Sequence, residues 1–246
     1  LHLGAYLNDK LEGVMSFGSP LDKRKVLPLV SGTIWTGMLE LNRMAFSDRL
    51  PRNSESRCLS VAFRLIKKHY PHIEWILSFS DGCQCGDGTI YRASGFVLTS
   101  IKKNNSIWRA PTGESFVETS LIPGIGGSAA IKKAETISRT TMTKGAHLAA
   151  SGGKSSMQRF KDAGWKPIEG FQLRYIYFLN PEAKARLTVP VIPFSKIDEM
   201  GAGMYKGESI KRDTKATTGD QSVSGGAIPT ITLHSPYAAS KKTNEA

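Results

Sequence analysis

The hydrophobic period of this chain switches from two to 3.6 and back between Met38 and Ile101. That switch constrains the fold more than any other feature of the sequence. Met38–Phe46 alternates Leu39, Leu41 and Met44 with Glu40 and Arg43, the pattern of a strand. Leu50-Pro51 ends it. Leu59, Phe63 and Ile66 then share one face of a predicted helix, with Ser54 or Ser56 placed to cap its start and Pro71 to stop it near His69. Glu74–Ser80 is a short buried strand, Asp81–Gly88 is rich in turn residues, Thr89–Ser94 reads as a brief helix closed by Gly95, and Phe96–Ile101 is a further strand. Ahead of this block, Leu1–Leu7 and Glu12–Phe17 flank Asn8-Asp9-Lys10, a hairpin signal. Behind it, FQLRYIYFL (171–179) is a core strand and Leu187–Phe194 a Pro-bounded extended segment. The predicted fold class is mixed α/β, with one central helix laid against a sheet.

The 246 residues, 40% of them hydrophobic, suffice for one large domain or a domain carrying an insertion. Lys and Arg number 33 against 21 Asp and Glu, a formal net charge of +12 that favours polyanionic partners. The excess is concentrated. Between Lys102 and Lys166 stand eleven basic and four acidic residues, a local net of +7 among many Gly and Ser. The organisation read from these shifts is a core at 1–101, a basic insertion at 102–166, a last core strand with an extension at 167–200, and a disordered polar tail at 201–246. Lys102, Lys103, Arg109, Lys144, Lys154 and Arg159 are the candidate contacts to a nucleic-acid backbone within the insertion; a protein that is merely basic is the alternative. Three cysteines cannot all pair internally and fit a reduced cytoplasmic compartment. No apolar run approaches the ~18 residues of a membrane span. The chain opens on Leu1 inside a strand-like alternation, so a preceding segment is expected.

Two places could carry chemistry. The loop Leu50–Arg57 (LPRNSESR) joins a strand to a helix start, where free N–H groups and the helix dipole favour anions. Arg52 and Arg57 add charge and Ser54 and Ser56 add hydroxyls, which suits a pyrophosphate; an ordinary cap with solvated arginines reads equally well. Asp81 closes the strand WILSFSD, and open α/β sheets bind ligands at strand ends. A partly desolvated carboxylate there could act as a general base, and it could equally cap the next turn. Glu40 and Arg43, three positions apart on one strand, are expected on opposite faces, so that only one of them shares a side with Asp81. Cys83-Gln84-Cys85 lacks the second pair that a structural zinc needs. His69 and His72 read as solvated cations at a helix end.

The run MLELNRMAFSDRLPRNSESRCLSVAFRLIKKHYPHIEWILSFSDGCQCGDGTIYRASGF, Met38 to Phe96, closely resembles the Mom family of bacteriophage and prophage proteins. DGCQCGDGTIYRASGF is its most specific part, and the resemblance extends through the opening hairpin, FQLRYIYFL and LTVPVIPF, over most of residues 1–195. It implies a divergent GNAT-like acyltransferase fold, with a mixed, mostly antiparallel sheet flanked by helices. It also implies an enzyme that converts adenine in DNA to its N6-methylcarbamoyl form and so protects phage DNA from restriction in the cytoplasm of the bacterial host. By that resemblance Arg43, Asp81 and Tyr91 are the active-site residues, and Arg52, Asn53, Ser54 and Ser56 hold cofactor phosphates. The implied donor is acetyl-CoA or another acyl or glycyl donor, with iron as a possible metal. The implied partner is double-stranded DNA with a flipped adenine, on which Tyr91 or Trp108 could stack. The family's fold relatives carry Gly or Ala where this chain has Glu55 and Arg57, a departure that bears on CoA binding. Two other readings fit the same residues: a non-catalytic DNA-binding protein with a GNAT shell, and a conventional acetyl-CoA-dependent N-acetyltransferase.

Overall fold

The computed structural model describes residues 1–83, 85–121, 133, 136–137, 156–205, 207–210 and 232–234. Strands β1 (His2–Leu7) and β2 (Lys10–Gly18) form the expected hairpin. Asn8 and Asp9 both take positive φ, 50° and 60°, as a two-residue type I′ turn requires. A short helix α1 (Lys23–Val26) leads to β3 (Met38–Phe46), the long helix α2 (Ser54–His69) and β4 (Trp75–Asp81). Then come α3 (Thr89–Ala93), β5 (Val97–Arg109), β6 (Ser115–Val117) and β7 (Lys166–Phe178). The main sheet runs β1-β2-β3-β4-β7-β5-β6, extended beyond β1 by a strand at Thr232–His234. Its pairings are antiparallel except β3 with β4, which are parallel and joined through α2.

The strand–helix–strand reading of residues 38–81 matches this architecture. The apolar stripe of α2 supplies Leu59, Ala62, Phe63 and Ile66, which pack with Ile76, Leu98, Leu173 and Tyr175 in the principal core. Each large side chain so buried contributes about 1.5–3 kcal/mol of transfer free energy. On the other face, Leu29, Val30 and Ala183 cover Trp75, Leu77 and Ile176. The Trp75 indole N–H donates to Thr33 Oγ1 at 2.9 Å.

Two irregularities shape the centre of the sheet. Parallel pairing holds only for Met38, Leu39 and Glu40 against Trp75, Ile76 and Leu77, although both strands continue beyond it. β3 and β4 therefore part toward their C-terminal ends. On the other edge of β3, Phe17 pairs with Leu41 but Ser16 pairs with Arg43, so Asn42 is an extra bulged residue. The bulge reverses the alternation after Leu41. Strict period two puts Glu40 and Arg43 on opposite faces; with one residue inserted between them they share a face, the one opposite α2.

Two boundaries differ from the sequence reading. The insertion drawn at 102–166 begins inside β5, whose outer half pairs with β7 through Arg109 and Lys166 as one long antiparallel ribbon. Beyond the ribbon Trp108, Ala110, Leu121, Phe160, Ala163 and Trp165 build a second small core. The tail drawn as disordered from 201 contains the hairpin Met204–Tyr205 with Glu208–Ser209 and the strand Thr232–His234. Ala202 is buried in the principal core, and Met204 is buried over Gly82, where any Cβ would meet it. No helix among the described residues is long and apolar enough to cross a membrane.

Candidate active site

Asp81 ends β4 in a setting built by its neighbours in three strands. Its Oδ1 accepts from the Cys83 backbone N–H at 2.9 Å, and its Oδ2 accepts from Asn104 Nδ2 at 2.6 Å. Asn104 lies on β5 opposite Gly170 of β7, the strand between β5 and β4. Gly170 presents no side chain there, and a Cβ would overlap Cys83 Sγ, so the glycine is what lets Cys83 fold down onto β7. Burial pushes the Asp81 carboxyl up, opposed by the donors at Cys83 and Asn104. The carboxylate is thus partly desolvated and held in one orientation, the two attributes of a poised proton acceptor.

Alternation along β4 places Trp75, Leu77, Phe79 and Asp81 on the face opposite α2. Glu40 and Arg43 share that face because of the bulge at Asn42. Burial also pushes the Glu40 carboxyl up. From β7 come Arg174, opposite Phe79, and Gln172, opposite Asp81; from β5 come Lys102 and Asn104. The half of this face near the strand ends therefore carries carboxyls, guanidiniums and an exposed aromatic ring.

Tyr91 stands on the other face. Its ring packs against Phe96 and Tyr175, with centroids at 5.1 and 5.3 Å, over the α2 side of the sheet. Burial pushes its phenol up, with Ser78 opposing. The described residues thus bring Asp81 and Arg43 to one face and place Tyr91 across the sheet from them. The parting of β3 and β4 is the break in the ladder between the two sides.

The Leu50–Arg57 loop departs from a conventional cap. The N-cap of α2 is Asn53, at φ 67°, and no side chain caps the helix. Asn is among the few residues that accept this left-handed conformation. Ser54 Oγ donates to Pro51 O at 2.5 Å and Ser56 Oγ to Asn53 O at 3.0 Å, so both hydroxyls are engaged by the loop itself. Ser54 is buried as well. The first intrahelical bond runs from Arg57 N to Asn53 O, which leaves the Glu55 and Ser56 N–H groups at the positive end of the helix. A cavity of about 360 Å³ opens there, lined by Arg52, Asn53, Ser56, Thr89 and Ile90 among others. A second of about 520 Å³ adjoins it through Ser56 and Ala93 and adds Arg57, Arg64, Lys67 and Ser94. The Ser94 hydroxyl is buried without a partner among the described residues. Arg64, Lys67 and Ser94 carried no signal in the sequence beyond the exposed side of an amphipathic helix and a turn.

Of the DNA-contact residues, Lys102, Lys103 and Arg109 are exposed on β5. Lys102 and Lys103 point to opposite faces of the strand. Lys144 and Lys154 lie outside the described residues, as does the side chain of Arg159, whose backbone is in the helix Ser156–Asp162. Trp108 is only 5% exposed in the second core, so it is a core aromatic rather than a free stacking surface.

The Mom protein family matches residues 1–196, a span that takes in β1 through β7 and every residue of the site described above. The protein "Methylcarbamoylase mom" of Escherichia phage Mu is 34% identical over 188 residues, 76% of this chain and 67% of that protein. Both the extent of the family match and the identity to this relative lead to one assignment: the chain belongs to the Mom protein family.

Proposed function

We propose that this protein is a phage or prophage DNA-modifying enzyme that converts adenine in DNA to N6-methylcarbamoyl-adenine and thereby shields that DNA from host restriction. Asp81 carries the reading: a partly desolvated, doubly hydrogen-bonded carboxylate at a parallel strand end, in a family whose phage Mu relative is named a methylcarbamoylase. Adenine N6 is a weak nucleophile because its lone pair is delocalised into the ring. Asp81 takes a proton from the amine as its bond to the incoming carbon forms and the bond from that carbon to the donor's leaving group breaks, the electron pair departing with that group; the raised carboxyl makes the proton transfer easier to drive. Arg43, on the same face, steadies the charge that develops on the donor. Burial raises the Tyr91 phenol, so it stays protonated on the α2 side of the sheet, and its part in the reaction is carried by the resemblance alone. The host cytoplasm is the compartment where such a reaction meets phage DNA.

The residues around the α2 start fit a CoA-type donor. The free N–H groups of Glu55 and Ser56 with Arg52 and Asn53 suit its pyrophosphate. The orphaned Ser94 hydroxyl and the cations Arg57, Arg64 and Lys67 suit its nucleotide end. Bound there, the cofactor supplies an activated acyl group; the GNAT-like order of strand, phosphate loop, helix and strand is compatible with that placement. Iron fits less well. Among the described residues no three His, Cys, Asp or Glu side chains gather as a metal set, so no step here is routed through a metal. Passed through its carbonyl, an acetyl group would give N6-acetyladenine, and joining it through its methyl carbon would need a two-electron oxidant and an amide nitrogen besides; a glycine-derived donor supplies both carbons of the methylcarbamoyl group at the right oxidation level.

Nucleoside mass spectrometry of DNA from expressing cells fed labelled glycine separates the donors. Label in the methylcarbamoyl group itself, beyond that carried by unmodified adenine from the same cells, supports the glycyl route, and a methylcarbamoyl group without label supports the acyl route. No modified adenine in either case contradicts the function. The basic ribbon favours a DNA substrate over a protein or small-molecule acetyl acceptor, because its exposed cations Lys102, Lys103 and Arg109 suit a phosphate backbone.

A further inference from the structure

Phe79 is out of place for a strand in the middle of a sheet. Its same-face neighbours Trp75 and Leu77 are fully buried, yet Phe79 is 36% exposed. Leu29, Val30 and Ala183 cover Trp75 and Leu77, whereas the Phe79 ring is exposed. An aromatic ring therefore stands on the open half of the face, with Asp81 two residues further along the same strand. A spacing of two residues is about 7 Å. A purine stacked on that ring brings its exocyclic amine within reach of the Asp81 carboxylate.

Directly opposite Phe79 in the register is Arg174. Its Nε donates to Thr99 Oγ1 at 2.9 Å and its Nη2 to Thr99 O at 3.2 Å. Thr99 is buried at the bulge where β5 slips by one residue against β7. The guanidinium is half-buried, and burial pushes its pKa down. No ion pair is formed by it among the described residues. Two neutral oxygens of one threonine fix its direction and, among the described residues, leave further N–H donors unused. A desolvated cation without an acid is costly by itself, and an anionic ligand group completes it.

We propose that Phe79 and Arg174 form the acceptor-nucleotide subsite, in which the flipped adenine stacks on the Phe79 ring and Arg174 holds the adjacent phosphate. This rests on the DNA-modifying reading above. The subsite explains why the ring is uncovered, why the guanidinium lacks an acid, and why both lie on the Asp81 face. Tyr91, packed on the opposite face, and Trp108, enclosed in the second core, do not offer such a surface.

The test uses the full-length protein co-expressed with a plasmid, with modified adenine read by nucleoside mass spectrometry and duplex affinity by fluorescence anisotropy. Phe79→Ala should lower the modified fraction by about ten- to a hundredfold, the size of a lost base–aromatic stack. Its affinity for unmodified duplex should stay within about twofold, because phosphate contacts dominate that affinity. Phe79→Leu keeps apolar bulk without a ring and should fall with Ala; Phe79→Trp should restore modification. Wild-type-level modification by Phe79→Ala, or rescue by Leu as complete as by Trp, overturns the subsite. If the wild-type protein itself leaves adenine unmodified, it is the enzymatic reading that fails, and the two failures are distinguishable.

Discussion

Asn104 reaches across the whole width of β7 to donate to Asp81, at 2.6 Å, over the position where Gly170 has no side chain. The missing Cβ leaves room for the Cys83 side chain, whose backbone N–H is the second donor to the carboxylate.

Replacing Asn104 with Ala removes one of the donors that favour the charged form of Asp81, so the carboxyl should rise further. If Asp81 is the base, modification is lost as pH falls through its folded-state pKa. The acid limb of the pH–rate profile should therefore lie at higher pH in Asn104→Ala than in wild type. An unchanged limb would show that the amide does not tune the base.

Gly170→Ala should separate fold from function. The added methyl overlaps Cys83 Sγ and displaces the loop whose N–H orients Asp81. Modification should drop by at least about tenfold, as expected for an ångström-scale misplacement of a reacting group. Circular dichroism should remain that of the wild type. Full activity would show that the loop absorbs the methyl elsewhere.

Glu40 offers a stability test with a definite sign. Its folded-state pKa is raised above the ordinary 4.5 by burial, so folding favours the protonated form. Stability then declines as pH rises from the unfolded value through the folded one, and stays lower above it. Glu40→Gln should raise Tm at neutral pH, and the advantage should vanish well below pH 4.5. Thermal melts at several pH values check this; an advantage that grows toward acid contradicts it.

In the core, Leu59→Ala deletes a fully buried side chain on the inner face of α2. The expected loss is about 2–5 kcal/mol, measured by urea denaturation. A smaller loss would mean that Phe63 and Ile66 close over the gap.

Much of the architecture was legible in the sequence because single segments announce it. The Asn8-Asp9 turn, the alternation of β3, the apolar stripe of α2 and the Pro71 stop are local signals, and each element formed where its signal lies. The Asp81 position was legible for the same reason. What escaped were relationships between segments. The bulge at Asn42 depends on pairing with β2, so period two misassigned Arg43 relative to Glu40. Arg174 reads as one more residue of FQLRYIYFL until β4 and β5 are set on either side of it. Ser54 and Ser56 look like caps, but the left-handed Asn53 turns both hydroxyls onto loop carbonyls. The resemblance to the Mom family grouped Tyr91 with Asp81 and Arg43, whereas the sheet stands between them.

The most direct test of the central claim compares wild type and Asp81→Ala in the same cells. Plasmid DNA recovered from cells expressing the full-length protein should contain adenine heavier by one methylcarbamoyl group, and plasmid from Asp81→Ala cells should contain only unmodified adenine. Both proteins should bind duplex DNA with affinities within about twofold, since a carboxylate offers a phosphate no favourable contact. Modified adenine in the Asp81→Ala plasmid, or none in the wild-type plasmid, would contradict the account.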